Sequence, residues 1–186
     1  MRRLLLILPA LIVLSAFAPV ARADEAAAWE ALRKGGIALF RHAIAPGVGD
    51  PPGFRLGQCD TQRNLDAAGR AQAARIGAAF QRESVNVREV LSSRWCRALD
   101  TAELAFPGRV TPAPIFDSSF QDRTTEPAQT DAARRRLLAW KRAGALVVVT
   151  HQVNITALTG IFPASGEGIV LVPEGGRLRE VGRIRP

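Results

Sequence analysis

The chain has 186 residues, a formal net charge of +8, two cysteines and two histidines. Three of its 25 basic residues precede residue 24, which leaves 22 basic against 17 acidic residues in the remainder. This moderate excess can attract anionic ligands without requiring nucleic acid. Two cysteines and two widely spaced histidines match none of the compact metal-ligand motifs, which argues against a structural zinc site.

The first 23 residues have the pattern of an export signal. Residues 1–3 are basic at two positions, residues 4–20 are almost wholly apolar, and residues 21–23 have the small-x-small form of a cleavage site. The alternative is an uncleaved membrane anchor, but two prolines interrupt a run that barely spans a bilayer of ~30 Å. We therefore expect a signal peptide at residues 1–23 and a periplasmic or secreted domain at 24–186, with no membrane span after cleavage.

Strands and helices alternate along this domain. Helix-like spacing and capping residues predict helices at residues 26–33, 65–82, 94–106, 127–142 and 153–159. Apolar and β-branched runs predict strands at residues 37–41, 89–92, 145–150, 168–173 and 177–184, the last two as a hairpin. Residues 109–116 contain two prolines, so if this segment pairs at all it is an edge strand. Long polar loops cover residues 43–62 and 117–130. This alternation is typical of an α/β domain with a largely parallel sheet.

Both histidines directly follow a strand that is predicted to be buried. His42 comes after residues 37–41 and His151 comes after residues 145–150. Because ligands of parallel α/β sheets bind outside the carboxyl ends of the strands, this pattern can bring both imidazoles into one crevice. A single histidine there would more often bond locally, but the pair together with the adjacent Arg41 favours a functional site.

Two further arginines, Arg94 and Arg97, fall in the first turn of the helix predicted at residues 94–106. A cation at a helix N-terminus opposes the helix dipole, and this cost is understandable where an anion binds. One of the two can still be an ordinary solvated arginine. Arg97 is the better candidate for the site, because the small residues after it indicate close packing.

Four segments, in this order, resemble the histidine phosphatase superfamily, also called the phosphoglycerate-mutase-like family. They are Arg41-His42, "RNLDAAGRAQAARIG" at residues 63–77, "SSRWCRALDTA" at residues 92–102, and Thr150-His151. The resemblance spans nearly all of residues 24–186 and implies a three-layer α/β/α sandwich with a mostly parallel central sheet. It is closest to small exported phosphatases, including the one that acts on lipopolysaccharide core heptose phosphate.

The resemblance implies a metal-independent phosphomonoesterase that needs no cofactor and works through a phosphohistidine. By position, His42 is the nucleophile, and Arg41, Arg97 and His151 surround the phosphoryl group. The proton donor remains open between Asp122, which has the more fitting interval after Arg97, and Glu126; each can instead be a solvated loop carboxylate. Further residues are implied to contact a small-molecule or envelope-glycan phosphate monoester: Arg94, Asn64, Gln152 and Glu126. The sequence does not indicate an oligomeric state.

Two positions depart from the family pattern. Ala43 stands where the family usually has glycine after the Arg-His pair, and Gln152 stands where many members have glycine or aspartate. These departures keep an alternative open, namely a non-catalytic protein on the same fold that binds phosphate or anionic glycans. Since an exported protein meets an oxidising environment, Cys59 and Cys96 can also form a single disulfide.

Overall fold

A six-stranded sheet lies at the centre of the fold in the computed structural model, which describes residues 20–186. Its strands are β1 (Ile37–Arg41), β2 (Val87–Ser92), β3 (Val110–Pro112), β4 (Ala145–Thr150), β5 (Gly168–Glu174) and β6 (Arg177–Ile184). The strand order is β3-β2-β4-β1-β5-β6. The first four strands are parallel, β5 runs antiparallel to β1, and β6 runs antiparallel to β5. The predicted α/β fold with a mostly parallel sheet is therefore confirmed.

Helices cover both faces of the sheet. They are α1 (Val20–Arg33), α2 (Ala67–Arg82), α3 (Cys96–Ala105), α4 (Glu126–Leu138) and α5 (Gln152–Thr159). Alternate residues of β1 enter two separate apolar clusters, because successive side chains of a strand point to opposite faces. Ala38 and Phe40 pack with α1, α2 and α3, whereas Ile37 and Leu39 pack with α4 and α5. The result is a three-layer sandwich.

The segment at residues 109–116 does pair at the sheet edge, but only as the short strand β3. Other differences from the sequence prediction are at helix ends. Helix α3 begins at Cys96, because the backbone of Trp95 before it is extended, with φ −66° and ψ 134°. The N–H of Arg94 donates to Asp117 Oδ1 and the N–H of Trp95 donates to Ser93 Oγ. Arg94 therefore precedes the helix. Helix α4 ends at Leu138, four residues before the predicted end, and the buried Trp140 indole then donates to the Gly35 carbonyl.

Residues 1–19 of the predicted signal peptide lie outside the part of the chain that the structure describes. Helix α1 begins at Val20. Among residues 20–186, no helix is both long enough and apolar enough to cross a membrane.

The pairing of β1 with β4 determines where the two histidines lie. These strands are parallel neighbours, and Arg41 is paired with Thr150 at their carboxyl ends. The backbone N–H of His42 continues the pairing by donating to the Thr150 carbonyl over 2.9 Å. His42 and His151 consequently leave the sheet side by side, at the edge where parallel α/β sheets bind ligands.

Candidate active site

The two imidazoles lie together at the base of a pocket. Their ring centroids are 5.4 Å apart, and each histidine is 3% exposed. Three arginines line the same pocket, namely Arg41, Arg63 and Arg97. The pocket has a volume of about 220 Å³. The structure thus brings together His42, His151, Arg41 and Arg97, as the positions of the sequence motifs predict, and adds Arg63.

Hydrogen bonds assign the tautomer of His42. Its Nδ1 lies 2.7 Å from the Ala43 carbonyl oxygen, which can only accept, so Nδ1 carries the hydrogen. The lone pair of Nε2 faces the pocket, where Arg97 Nε donates to it over 3.3 Å. Burial, and then the charge of Arg97, lowers the pKa of His42 to about 3. His42 is therefore neutral near pH 7, with an unprotonated Nε2 that can act as a nucleophile.

His151 is held by the segment that precedes α3. Its Nε2 lies 2.8 Å from Ser93 Oγ, and its ring meets the Trp95 ring edge-on. Burial, and then the proximity of His42, lowers the pKa of His151 well below its ordinary value. Both histidines are consequently neutral in the folded protein.

Arg41 and Arg63 are anchored by backbone carbonyls. Arg41 Nη1 donates to the Pro163 carbonyl over 3.0 Å, while its buried Nε has no hydrogen-bond partner among residues 20–186. Arg63 Nε donates to the Gly49 carbonyl over 2.7 Å, and its Nη1 donates to the Ala45 carbonyl. Burial, and then the positive charge of Arg97, lowers the pKa of both guanidinium groups. Such a concentration of buried positive charge is suited to an anion.

Arg97 is itself paired with a carboxylate from the loop after β1. Asp50 accepts from Arg97 Nη1 over 2.6 Å and from Nη2 over 3.2 Å, and both side chains are 3% exposed. The Trp95 indole and the Arg63 backbone N–H also donate to Asp50. Burial alone would raise the pKa of Asp50, but the hydrogen bonds and charge of Arg97 hold it below its ordinary value. Asp50 is therefore ionised.

Apolar side chains surround the mouth of the pocket. Val48, Phe120 and Phe162 line it, and the two phenylalanines are 49% and 70% exposed. Gln152, the first residue of α5, also lines the pocket, and its amide Nε2 donates to Thr156 Oγ1. The pocket thus has a cationic base and an apolar rim.

The other sequence-predicted contacts lie outside this pocket. Arg94 forms an ion pair with Asp117, and Asn64 donates to the Cys59 carbonyl. Asp122 is exposed and caps the short helical turn Arg123–Thr125, where it accepts from Thr124. Glu126 forms an ion pair with Arg123 at 3.1 Å. Each of the four therefore bonds to a partner outside the pocket, and within residues 20–186 no carboxylate lines the pocket.

The departure at Ala43 has a structural explanation. Its backbone does not adopt a positive φ, so the position does not require glycine. Its N–H donates to Thr101 Oγ1 over 3.0 Å and its carbonyl accepts from His42. Glycine is required instead at Gly69 in α2, where a Cβ would lie 1.9 Å from the carbonyl oxygen of Ile44.

The long loop at residues 43–62 is fastened to α3. A disulfide joins Cys59 to Cys96, the first residue of α3, and the Cys96 N–H donates to Gln62 Oε1 over 2.9 Å. Arg97 is the next residue, so the disulfide connects the loop directly beside a pocket arginine. No cluster of three or more His, Cys, Asp or Glu side chains suited to a metal ion occurs in the described part of the chain.

Several solved structures share this fold. One is the protein histidine phosphatase SixA complexed with tungstate, with 15% identity, a TM-score of 0.59, and coverage of 81% of this chain and 97% of that one. The α-ribazole phosphatase from Shigella flexneri has 17% identity and a TM-score of 0.54, covering 79% and 96%. Phosphoserine phosphatase from Entamoeba histolytica, in complex with 3-phosphoglyceric acid, has 12% identity and a TM-score of 0.56, covering 80% and 96%. At these low identities, the TM-scores above 0.5 show similarity of fold alone.

No curated protein sequence matches the chain. A protein-family model does match: residues 37–124 fit the Histidine phosphatase superfamily (branch 1). The matched segment contains Arg41, His42, Arg63 and Arg97, and the parallel pairing of β1 with β4 adds His151 from outside it. With the shared fold, this match supports the predicted enzyme class, a phosphatase with a histidine nucleophile. Residues 37–124 of the chain are thus similar to the histidine phosphatase superfamily.

Proposed function

We propose that the protein is an exported, metal-independent phosphomonoesterase that transfers the phosphoryl group to Nε2 of His42. The observation that carries this proposal is the environment of that atom. Nε2 is unprotonated, lies within a buried site, and accepts from Arg97 in a pocket that Arg41 and Arg63 also line. Phosphoryl transfer requires little from a protein beyond an in-line nucleophile and positive donors for the phosphoryl oxygens.

The charge of the site fits a phosphate monoester. Three guanidinium groups, the Asp50 carboxylate and two neutral imidazoles give a formal charge of about +2. A phosphate monoester is largely a dianion at neutral pH, with its second pKa at about 6. The two charges therefore balance when the ester binds, and arginine forks match the geometry of its oxygens.

The reaction proceeds in two displacements. In the first, the Nε2 lone pair of His42 bonds to phosphorus while the bond from phosphorus to the leaving oxygen breaks. The Ala43 carbonyl holds Nδ1–H and so stabilises the positive charge that the imidazole acquires. In the second, water attacks phosphorus, loses its proton to solvent, and the phosphorus–nitrogen bond breaks. Inorganic phosphate leaves and His42 returns to its neutral form.

The protonation of the leaving alcohol differs from that in a pocket that contains a general acid. General acid catalysis contributes about 10²- to 10⁴-fold, and no carboxylate lines the pocket in residues 20–186. The leaving oxygen therefore takes its proton from solvent or from a neighbouring group of the substrate. Esters of acidic alcohols are expected to react fastest.

For the natural substrate we propose a phosphorylated envelope glycan. The signal-peptide pattern of residues 1–23 supports an exported enzyme, and the Cys59–Cys96 disulfide is the type of bond that persists outside the cytoplasm. The exposed rings of Phe120 and Phe162 offer apolar contact area to the carrier of the phosphate. The similar structures include a protein histidine phosphatase and an α-ribazole phosphatase, so the substrate panel should include those phosphate carriers as well.

The absence of a carboxylate from the described pocket lining also favours a second candidate, a non-catalytic protein that binds phosphate or anionic glycans in the same pocket. Both candidates predict that inorganic phosphate and tungstate bind. Only the enzyme forms a phosphoenzyme and releases the alcohol.

Acid-quench labelling separates the two. The purified protein is mixed with a radiolabelled aryl phosphate and quenched, and label on the protein is tested for the acid lability of phosphohistidine. We expect turnover and labelling by the unmutated protein and loss of both in His42→Ala. The variants Asp122→Asn and Glu126→Gln test whether either carboxylate proposed from the sequence is the proton donor. Tungstate binding without turnover or label would establish the second candidate. Label that persists in His42→Ala would show that another residue is the nucleophile.

A further inference from the structure

The guanidinium group of Arg97 has different hydrogen-bond partners on its two sides. Nη1 and Nη2 donate to the two oxygens of Asp50, and Nε donates to Nε2 of His42. A phosphorus atom that bonds to His42 must approach the lone pair that Arg97 Nε now contacts. The Nε side of Arg97 is therefore the side that meets the reacting group, while the Nη pair is directed to Asp50.

Asp50 is itself fixed from three directions. Apart from Arg97, the Trp95 indole donates to Oδ2 over 3.0 Å, and the backbone N–H of Arg63 donates to Oδ1 over 3.1 Å. Trp95 is in turn packed against the Phe54 ring, with centroids 5.1 Å apart. The disulfide fastens the end of the same loop to the residue before Arg97. The carboxylate is thus a rigid support rather than the mobile end of an exposed loop.

A rigid support matters for an arginine, because its long side chain otherwise populates many rotamers. Donors that are already aligned with the developing charge cost no reorganisation when the reaction occurs. Asp50 also removes one unit of positive charge from a pocket with three guanidinium groups. Without it, the site would hold an anion at least as strongly but would orient one of its donors less well.

We propose that Asp50 is a positioning residue for the phosphoryl transfer proposed above, on which this inference rests. It holds Arg97 by its Nη atoms so that Nε faces the phosphoryl group on His42. The competing view is that Asp50 occupies the arginine in place of substrate and must leave when substrate binds. The two views predict opposite positions for Asp50 in a complex with an oxyanion, and opposite effects of its removal on turnover.

The kinetic test compares Asp50→Asn with Asp60→Asn, a matched change at an exposed carboxylate of the same loop. For Asp50→Asn we expect kcat with an aryl phosphate to fall about 10- to 100-fold, the usual effect of misplacing one donor. The Kd of inorganic phosphate, measured by calorimetry, should stay within about threefold of its value for the unmutated protein. A misaligned donor weakens stabilisation of the transition state more than it weakens binding of the ground state. Asp60→Asn should change neither quantity. Unchanged or increased kcat in folded Asp50→Asn would overturn the proposal.

A second measurement needs no substitution. In a crystal structure of the unmutated protein with tungstate, both contacts between Asp50 and Arg97 should persist and Arg97 Nε should donate to a tungstate oxygen. Tungstate on the Nη atoms, with Asp50 displaced, would overturn the positioning role even if Asp50→Asn does not fold. Lack of turnover by the unmutated protein overturns the proposed function, whereas the tungstate complex tests the position of Asp50 separately.

Discussion

Acidification should destabilise the fold through its two buried, neutral histidines. Burial, and then the charge of Arg97, lowers the pKa of His42 to about 3 in the folded protein, whereas an ordinary histidine titrates at about 6.5. Burial, and then His42, shifts the pKa of His151 in the same direction. Between about pH 6.5 and the folded pKa, the unfolded chain therefore binds more protons than the folded one. The free energy of unfolding is complete above this window and falls as the pH falls through it.

The magnitude follows from the shift. One pKa unit corresponds to about 1.4 kcal/mol, so lowering the pH from about 6.5 to about 4.5 should remove about 3 kcal/mol through His42 alone. His151 adds a further loss of the same sign. Asp50 does not contribute in this window, because its pKa is held below an ordinary value of 3.8. A loss of this size is a large part of the ~5–15 kcal/mol that stabilises a typical domain.

Urea unfolding of the disulfide-intact protein, followed between about pH 7.5 and pH 4.5, measures this effect. The informative quantity is the difference in unfolding free energy between the unmutated protein and His42→Asn. The substitution also removes the hydrogen bond to the Ala43 carbonyl, but that loss is the same at every pH. We expect a constant difference above about pH 6.5 that shifts in favour of the variant by up to about 1.4 kcal/mol per unit below it. A difference independent of pH would refute the conclusion that His42 is held neutral.

Three further predictions concern the disulfide, the helix contact and the leaving group. Replacing Cys59 and Cys96 by serine should lower the unfolding free energy by about 4 kcal/mol, because the bond closes a sequence separation of 37 residues; an unchanged urea midpoint would contradict this. Gly69→Ala should cost about 1–3 kcal/mol or more, because its Cβ would overlap the Ile44 carbonyl, whereas Ala74→Ser on the exposed side of α2 should cost about 0.5 kcal/mol or less. Equal losses in urea unfolding would refute that contact. Aryl phosphates should exceed alkyl phosphates in kcat/KM by about 100-fold or more, since within residues 20–186 no carboxylate lines the pocket to protonate the leaving oxygen; equal values would reveal a proton donor.

The central strands and the histidine pair could be predicted from the sequence because their determinants are local. The strands at residues 37–41 and 145–150 are continuous apolar runs, and the structure gives them the predicted bounds. Once both strands belong to one parallel sheet, His42 and His151 must emerge at the same edge. The apolar pattern of the two strands and their parallel topology were therefore sufficient to predict where these two histidines lie.

Arg63 and Asp50 could not be placed in this way. Both belong to the segment between β1 and α2, which has no hydrophobic periodicity and whose course depends on contacts with distant residues. Arg63 is the first residue of the family-like segment at residues 63–77. Its position just before a predicted helix was the one sequence feature that could have indicated a role in the site. Asp50 had no signal, because its partners Trp95 and Arg97 lie more than 40 residues away in the chain.

The carboxylates show why interval along the chain is a poor guide to chemistry at this site. Asp122 has the interval after Arg97 that the family pattern favours, yet its Oδ1 accepts from the backbone N–H and the hydroxyl of Thr124, two residues further along. Asp50 precedes Arg97 by 47 positions and is the carboxylate bonded to that arginine. Because Asp50 is ionised and donates no proton, it changes the field and the alignment of the donors rather than the leaving group. In the proposed mechanism the site holds a dianion against His42, and the alcohol bound to the phosphate must be acidic enough to leave without a protein carboxylate.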